Sequence, residues 1–202
     1  MPVLMWRIST PERKEVMAKA GNTTLRVIVS VLTIPLILFS AFRGGVLFLL
    51  FVTAVGVLSY YEYIRISEKK QSTPQLLLGG FGVLAILMNS YFQFVEFELL
   101  AILIAVSLLL RELFRNKGSA IVNLGITFLG IFYIGIFSST LIKLREFFPN
   151  YEQGAYIIVT MFASIWICDS AAFFGGVRFG KRRLYERVSP KKSWDGAIFG
   201  LF

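Results

Sequence analysis

The residue types best suited to chemistry lie between Asp169 and Gly200, in the stretch DSAAFFGGVRFGKRRLYERVSPKKSWDGAIFG. A carboxylate, Asp169, sits inside an apolar run. Gly175-Gly176 follows, then seven basic residues (Arg178, Lys181, Arg182, Arg183, Arg187, Lys191, Lys192), then a second apolar run. A carboxylate in a membrane interior is costly unless it is paired, protonated, metal-bound or facing water. Asp169 is therefore either a functional acid beside the cationic loop or half of a structural ion pair with another span. The loop itself has three readings. Excess Lys and Arg next to a membrane can set topology, or attract anionic lipid at about 1 kcal/mol per charge. A phosphate site asks for more: glycine, hydroxyls among the cations, and a helix N-terminus aimed at the anion. Gly180-Lys181 and Ser189-Pro190-Lys191-Lys192-Ser193 supply that combination, with Ser189 or Ser193 placed to cap the next helix. A carboxylate beside such a loop suits Mg²⁺, which takes one or two carboxylates plus substrate oxygens. The residues thus describe a site for a phosphorylated, lipidic substrate. Glu62, in YYEYIR, is a weaker candidate, because an acid near the end of a span can also snorkel or pair with Arg65.

The elements that must position this stretch are membrane helices. Of the 202 residues, 56% are hydrophobic, beyond the range of soluble domains. Apolar runs near 25–41, 46–64, 76–91, 97–114, 120–142 and 155–176 predict six spans, and a run from about 196 starts a seventh. The expected fold is all-α, a polytopic transmembrane bundle of six spans and part of a seventh, forming one domain over 25–202 behind an N-terminal segment 1–24. Phe42-Arg43-Gly44-Gly45, Ser72-Thr73-Pro74 and Pro149-Asn150 read as turns, and Gly79, Gly80, Gly82, Gly125, Gly130 and Gly135 as packing positions. On six spans, eighteen of the 21 Lys and Arg fall on one side and three (Arg43, Lys143, Arg145) on the other. That bias puts the N-terminus and loop 177–195 in the cytoplasm and accounts for the net charge of +9 without nucleic acid. The absence of His removes the commonest general base, and the lone Cys168 cannot form an internal disulfide. Residues 1–24 have no apolar core and are not a signal peptide.

WICDSAAFFGGVRFGKRRL followed by SPKKSWDGAIFG resembles the central region of CDP-diacylglycerol synthases, also called phosphatidate cytidylyltransferases. The matching positions are Asp169, Ser170, Ala172, Phe173 and Gly176, then Phe179-Gly180-Lys181, then Ser189-Pro190, Lys192-Ser193 and Gly196. Arg26 and the segment around Glu62 are similar to the family's N-terminal half. The resemblance implies an integral protein of the bacterial inner membrane that transfers CMP from CTP to phosphatidate, releasing pyrophosphate. It also implies Mg²⁺, catalytic roles for Asp169 and Lys192, and substrate contacts for Gly180, Lys181, Ser189, Pro190, Lys191, Ser193, Asp195 and Gly196. Asp169 is the expected metal ligand within the chain. Two departures qualify this. Asp195 stands where the family usually has Glu, and the family's C-terminal segment, with His-Gly-Gly and Asp-Arg-x-Asp, has no counterpart. The expectation is a chain cut short at Phe202, lacking the main metal ligands, inactive or nearly so, its uncovered helix faces open to a homodimer. A non-catalytic lipid-binding protein and an ion-coupled transporter using Asp169 are the alternatives.

Overall fold

A computed structural model describes residues 30–68, 72–180, 182–185 and 189–201, with the backbone alone for Pro190 and Lys191. The helices are α1 (Ser30–Arg43), α2 (Gly45–Glu68), α3 (Leu76–Phe92), α4 (Phe97–Leu113), α5 (Ala120–Glu146), α6 (Tyr151–Phe179) and α7 (Trp194–Phe199). Between α6 and α7 lies a hairpin of β1 (Arg183–Tyr185) and β2 (Ser189–Ser193). The chain divides into two compact units, Met1–Ser40 and Ala41–Phe202. Of the first, the described residues are the opening turns of α1. The second holds everything that follows.

Each helix lies where an apolar run predicts one, but six spans and part of a seventh do not result. Among the described residues three helices, α2, α5 and α6, are long and apolar enough to cross a membrane. Helices α3 and α4 have 17 residues each. At 1.5 Å per residue that is about 25 Å, short of the roughly 30 Å hydrocarbon core. Helix α4 also carries Glu98, Arg111 and Glu112. The run at 196 does not launch a seventh span: α7 is six residues long and folds back against α6. Nor is the fold all-α. The cationic loop contains the antiparallel pair β1–β2, with Arg183 opposite Ser193, Tyr185 opposite Ser189, and an irregular register between them. Neither strand has a β-branched or alternating pattern to announce it. Long apolar helices of this kind make the chain a multi-pass membrane protein.

The core of the second unit is formed by Phe48, Leu49, Val52, Tyr60 and Ile64 of α2, Val83, Ile86 and Leu87 of α3, and Ile131 and Ile142 of α5, with Ile104 and Leu108 of α4. Close approach depends on small residues. A methyl group at Gly135 would lie 3.0 Å from Ile86, and one at Gly130 2.7 Å from Tyr63. Gly125, expected to pack similarly, faces nothing within 4 Å.

Polar groups fasten both ends. At one, Glu112 is 5% exposed and accepts from Gln75 Nε2 at 2.7 Å and Asn123 Nδ2 at 2.9 Å, with Arg115 at 3.4 Å. Asn123 Oδ1 accepts from Thr73 N, and Thr127 Oγ1 from Gln75 N. One carboxylate thus ties together the segment leading into α3, the end of α4 and the start of α5. At the other end Arg145 is buried. Its Nε donates to Ala41 O at 2.6 Å, its Nη2 to Phe42 O at 3.3 Å, and its guanidinium lies over the Tyr151 ring. A cation there meets the last carbonyls of α1, where the helix dipole is negative. Tyr151 donates to Arg43 O, and Gly45 N donates to Glu146 Oε1. The turn between α1 and α2 needs glycine: Gly44 has φ +58°, and a methyl group there would meet Arg145 Nη2 at 2.5 Å.

Candidate functional site

Helix α6 begins on an Asn150 cap, whose side chain accepts from Glu152 N at 3.1 Å, and turns back along α5. Its C-terminal end therefore lies at the Glu112 end of the unit. There the residues change from large to small: Ala171-Ala172, Gly175-Gly176, Gly180. These form a seat for α7. A methyl group on Gly196 would lie 2.8 Å from Ala172 O and 3.0 Å from Gly176 Cα, and one on Gly200 2.9 Å from Ala172 Cβ and 3.0 Å from Cys168 O. Gly196 and Gly200, four apart, thus bring α7 backbone against α6 backbone, the small-residue contact used between membrane helices. Phe199 packs against Gly175 and stacks on Phe179, with ring centroids 5.2 Å apart.

Ser193 joins hairpin to seat. It is buried, and its Oγ accepts from Gly196 N at 3.2 Å, capping α7 as the sequence suggests. The same Oγ would be 2.6 Å from a methyl group on Gly180 and 3.2 Å from one on Gly176. Trp194 N donates to Arg182 O at 3.0 Å, which closes the hairpin at its base. Glycines, one hydroxyl and backbone bonds thereby contribute to fixing the segment SPKKSWDG, in which Asp195 has a partner of its own. Arg178, Arg182, Arg183 and Lys192 remain exposed around it.

The structure draws Gly180, Ser193 and Gly196 together on the last turns of α6. Lys192 is exposed, Ser189 and Asp195 half-buried. Asp169 precedes Gly176 by seven residues, two helical turns and about 10 Å, so it shares that face of α6 beyond the end of α7. It is exposed and makes no ion pair with any described residue, so the structural pairing is not found there. Lys181 and Arg187 lie outside the described residues, as do the side chains of Pro190 and Lys191. Glu62 is exposed, and Arg65 pairs with Glu68 at 3.3 Å and takes the Tyr61 hydroxyl instead. Among the described residues no three His, Cys, Asp or Glu side chains form a metal-holding group. What the sequence reading misses is the α6–α7 seat. Its signal is the recurrence of Ala and Gly at four-residue spacing on both sides of the cationic loop.

Long apolar helices and a cationic hairpin stapled to the end of one of them define a multi-pass membrane protein with a polar site at one end. Residues 24–202 match the model of the cytidylyltransferase family, and the chain belongs to that family. It is 31% identical over 185 residues to the phosphatidate cytidylyltransferase of Brucella suis biovar 1 (strain 1330), covering 89% of this chain and 64% of that protein. It is 22% identical over 185 residues to the protein of the same name from Staphylococcus aureus (strain COL), covering 90% and 67%. A 60-residue stretch is 40% identical to that of Haemophilus influenzae (strain ATCC 51907 / DSM 11121 / KW20 / Rd), covering 30% and 21%. The chain thus spans 64% of the length of the Brucella relative. No solved structure matches.

Proposed function

We propose that the hairpin end of α6 binds CTP and phosphatidate at the cytoplasmic face of the membrane and serves the transfer of CMP to the lipid. The observation that carries the reading is the seat. It packs Ser193 and Gly196 of SPKKSWDG against α6 about two turns from Asp169, and none of the described cations serves as a fastener. In the reaction an oxygen of the lipid phosphate attacks the α-phosphorus of CTP. The bond to the bridging oxygen breaks, and pyrophosphate leaves with the electron pair, giving CDP-diacylglycerol. Lys192, with Lys181 and Lys191, offsets charge on the phosphates. Asp169 is exposed and unpaired among the described residues, which fits a cation held mainly by substrate oxygens. Mg²⁺ there would be held by Asp169 with the substrates' phosphates and would supply charge compensation.

The cytoplasmic assignment rests on charge. Counted from Ala41 on with α2, α5 and α6 as the crossings, thirteen Lys and Arg fall on the side of the hairpin and three (Arg43, Lys143, Arg145) on the other, so the site keeps the more basic side. The test is lysine labelling with and without CTP and Mg²⁺. CTP should protect Lys192, Lys191 and Lys181 while leaving Lys143, at the far end of α5, unchanged. Equal labelling of all four at saturating CTP would remove the proposal.

A further inference from the structure

At the other end of the long helices, about 40 Å from the hairpin along the 29 residues of α6, a cavity of about 610 Å³ opens between the α3–α4 turn and the last turns of α5. A second, of about 630 Å³, adjoins it and shares Ser90, Gln93 and Lys143. The turn that walls the first is closed by its own bonds. Asn89 donates from Nδ2 to Val95 O at 2.9 Å and accepts at Oδ1 from Val95 N at 3.0 Å. Gln93 sits at φ +53°, the one non-glycine residue with positive φ among those described. It is the left-handed cap that ends α3, its N–H donating to Asn89 O at 2.9 Å, and it turns the chain into the cavity wall.

The lining has an unusual balance. Lys143 and Glu96 both face the cavity, both are exposed, and neither makes an ion pair or hydrogen bond through its side chain with a described residue. They do not neutralise each other. Around them the hydroxyls of Ser139 and Thr140 have spent their hydrogens on Ile136 O, at 2.8 and 3.0 Å. What those hydroxyls still offer is acceptor lone pairs. The cavity therefore presents a cation with the Gln93 amide, and separately a carboxylate with hydroxyl acceptors. An anion alone would engage Lys143 and leave Glu96 to water, and a cation alone would do the reverse. Both are satisfied by one ligand carrying a phosphate and an ammonium a few atoms apart. Phe94 and Phe97, 71% and 40% exposed, flank the opening as aromatic rings do at a bilayer interface.

We infer that this cavity binds the headgroup of a zwitterionic aminophospholipid, its phosphate on Lys143 and Gln93 and its ammonium on Glu96, Ser139 and Thr140. Phosphatidate has no amine, so the site is distinct in chemistry as well as place from the one proposed for the reaction, and does not depend on it. The test uses the whole 202-residue chain in a neutral detergent, with bound lipid counted by native mass spectrometry. The probes are dihexanoyl phosphatidylethanolamine, dihexanoyl phosphatidylglycerol and inorganic phosphate. Phosphatidylethanolamine should bind best and free phosphate should not compete at millimolar concentration. Glu96→Gln should weaken phosphatidylethanolamine about fivefold while leaving phosphatidylglycerol unchanged or tighter, and Lys143→Met should weaken both about fivefold. Both side chains are exposed and unpaired, so circular dichroism and melting should match the wild type. Equal affinity for the two lipids with no effect of Glu96→Gln, or displacement by inorganic phosphate, would overturn the inference.

Discussion

Gly196→Ala tests whether the α6–α7 seat holds the hairpin. The new methyl group would stand 2.8 Å from Ala172 O and 3.0 Å from Gly176 Cα, both backbone atoms of α6 that no rotamer change can move. Overpacking of this kind costs about 1–3 kcal/mol, and rigid partners argue for the upper end. Alanine in place of glycine returns about 1 kcal/mol of helix propensity. The net is about 2 kcal/mol, or roughly a 30-fold larger population with α7 lifted from α6. Hydrogen exchange read on a peptide covering 194–201 should speed up by that factor, because opening α7 frees the bonds Gly200 N to Gly196 O and Trp194 N to Arg182 O. The matched control is Gly125→Ala, where nothing lies within 4 Å. It should leave exchange in 194–201 untouched and slow it slightly within α5. Wild-type exchange in Gly196→Ala, or equal acceleration in both variants, would refute the packing argument.

Three further outcomes are expected. Glu112→Leu removes one acceptor each from the Gln75 and Asn123 amides and the Arg115 guanidinium, which keep Leu108 O, Lys117 O and Thr73 O, and should cost about 1–3 kcal/mol in a detergent denaturation followed by circular dichroism. Arg145→Lys keeps the charge but loses the planar fork that reaches Ala41 O and Phe42 O, so thermal unfolding should show a loss of about 1–3 kcal/mol. Lys192→Ala should weaken CTP about five- to tenfold in an equilibrium binding assay, and raised salt should narrow the gap from wild type.

The sequence locates the helices to within a few residues because runs of Leu, Ile, Phe and Val between charges leave little freedom. It does not say which of them cross the membrane. Helices α3 and α4 have the composition of spans, but their length and the burial of Glu112 among α3–α5 polar groups are set by tertiary partners. Glu112 is invisible beforehand for the same reason: in the sequence it is one charge beside Arg111 and Arg115. The hairpin is missed because RLY and SPKKS have no strand pattern and pair only through backbone and the anchored base. At the site, the capping role of Ser193 is legible, since a serine ahead of an apolar run has few other uses. The glycines of α7 look like the beginning of a crossing and prove to be a docking face, a distinction that needs the opposing Ala172 and Gly176 in view.

Seating a loop on glycines and a serine cap, with no ion pair to its described cations, has a consequence for its charge. Loops held by ion pairs consume their cations internally and present a muted field. Here the described guanidinium and ammonium groups of residues 178–192 are left with their full electrostatic reach, next to a membrane of low dielectric that strengthens it. The approach of a multiply charged anion to this end of the protein should therefore be fast and steeply dependent on ionic strength, whatever chemistry follows.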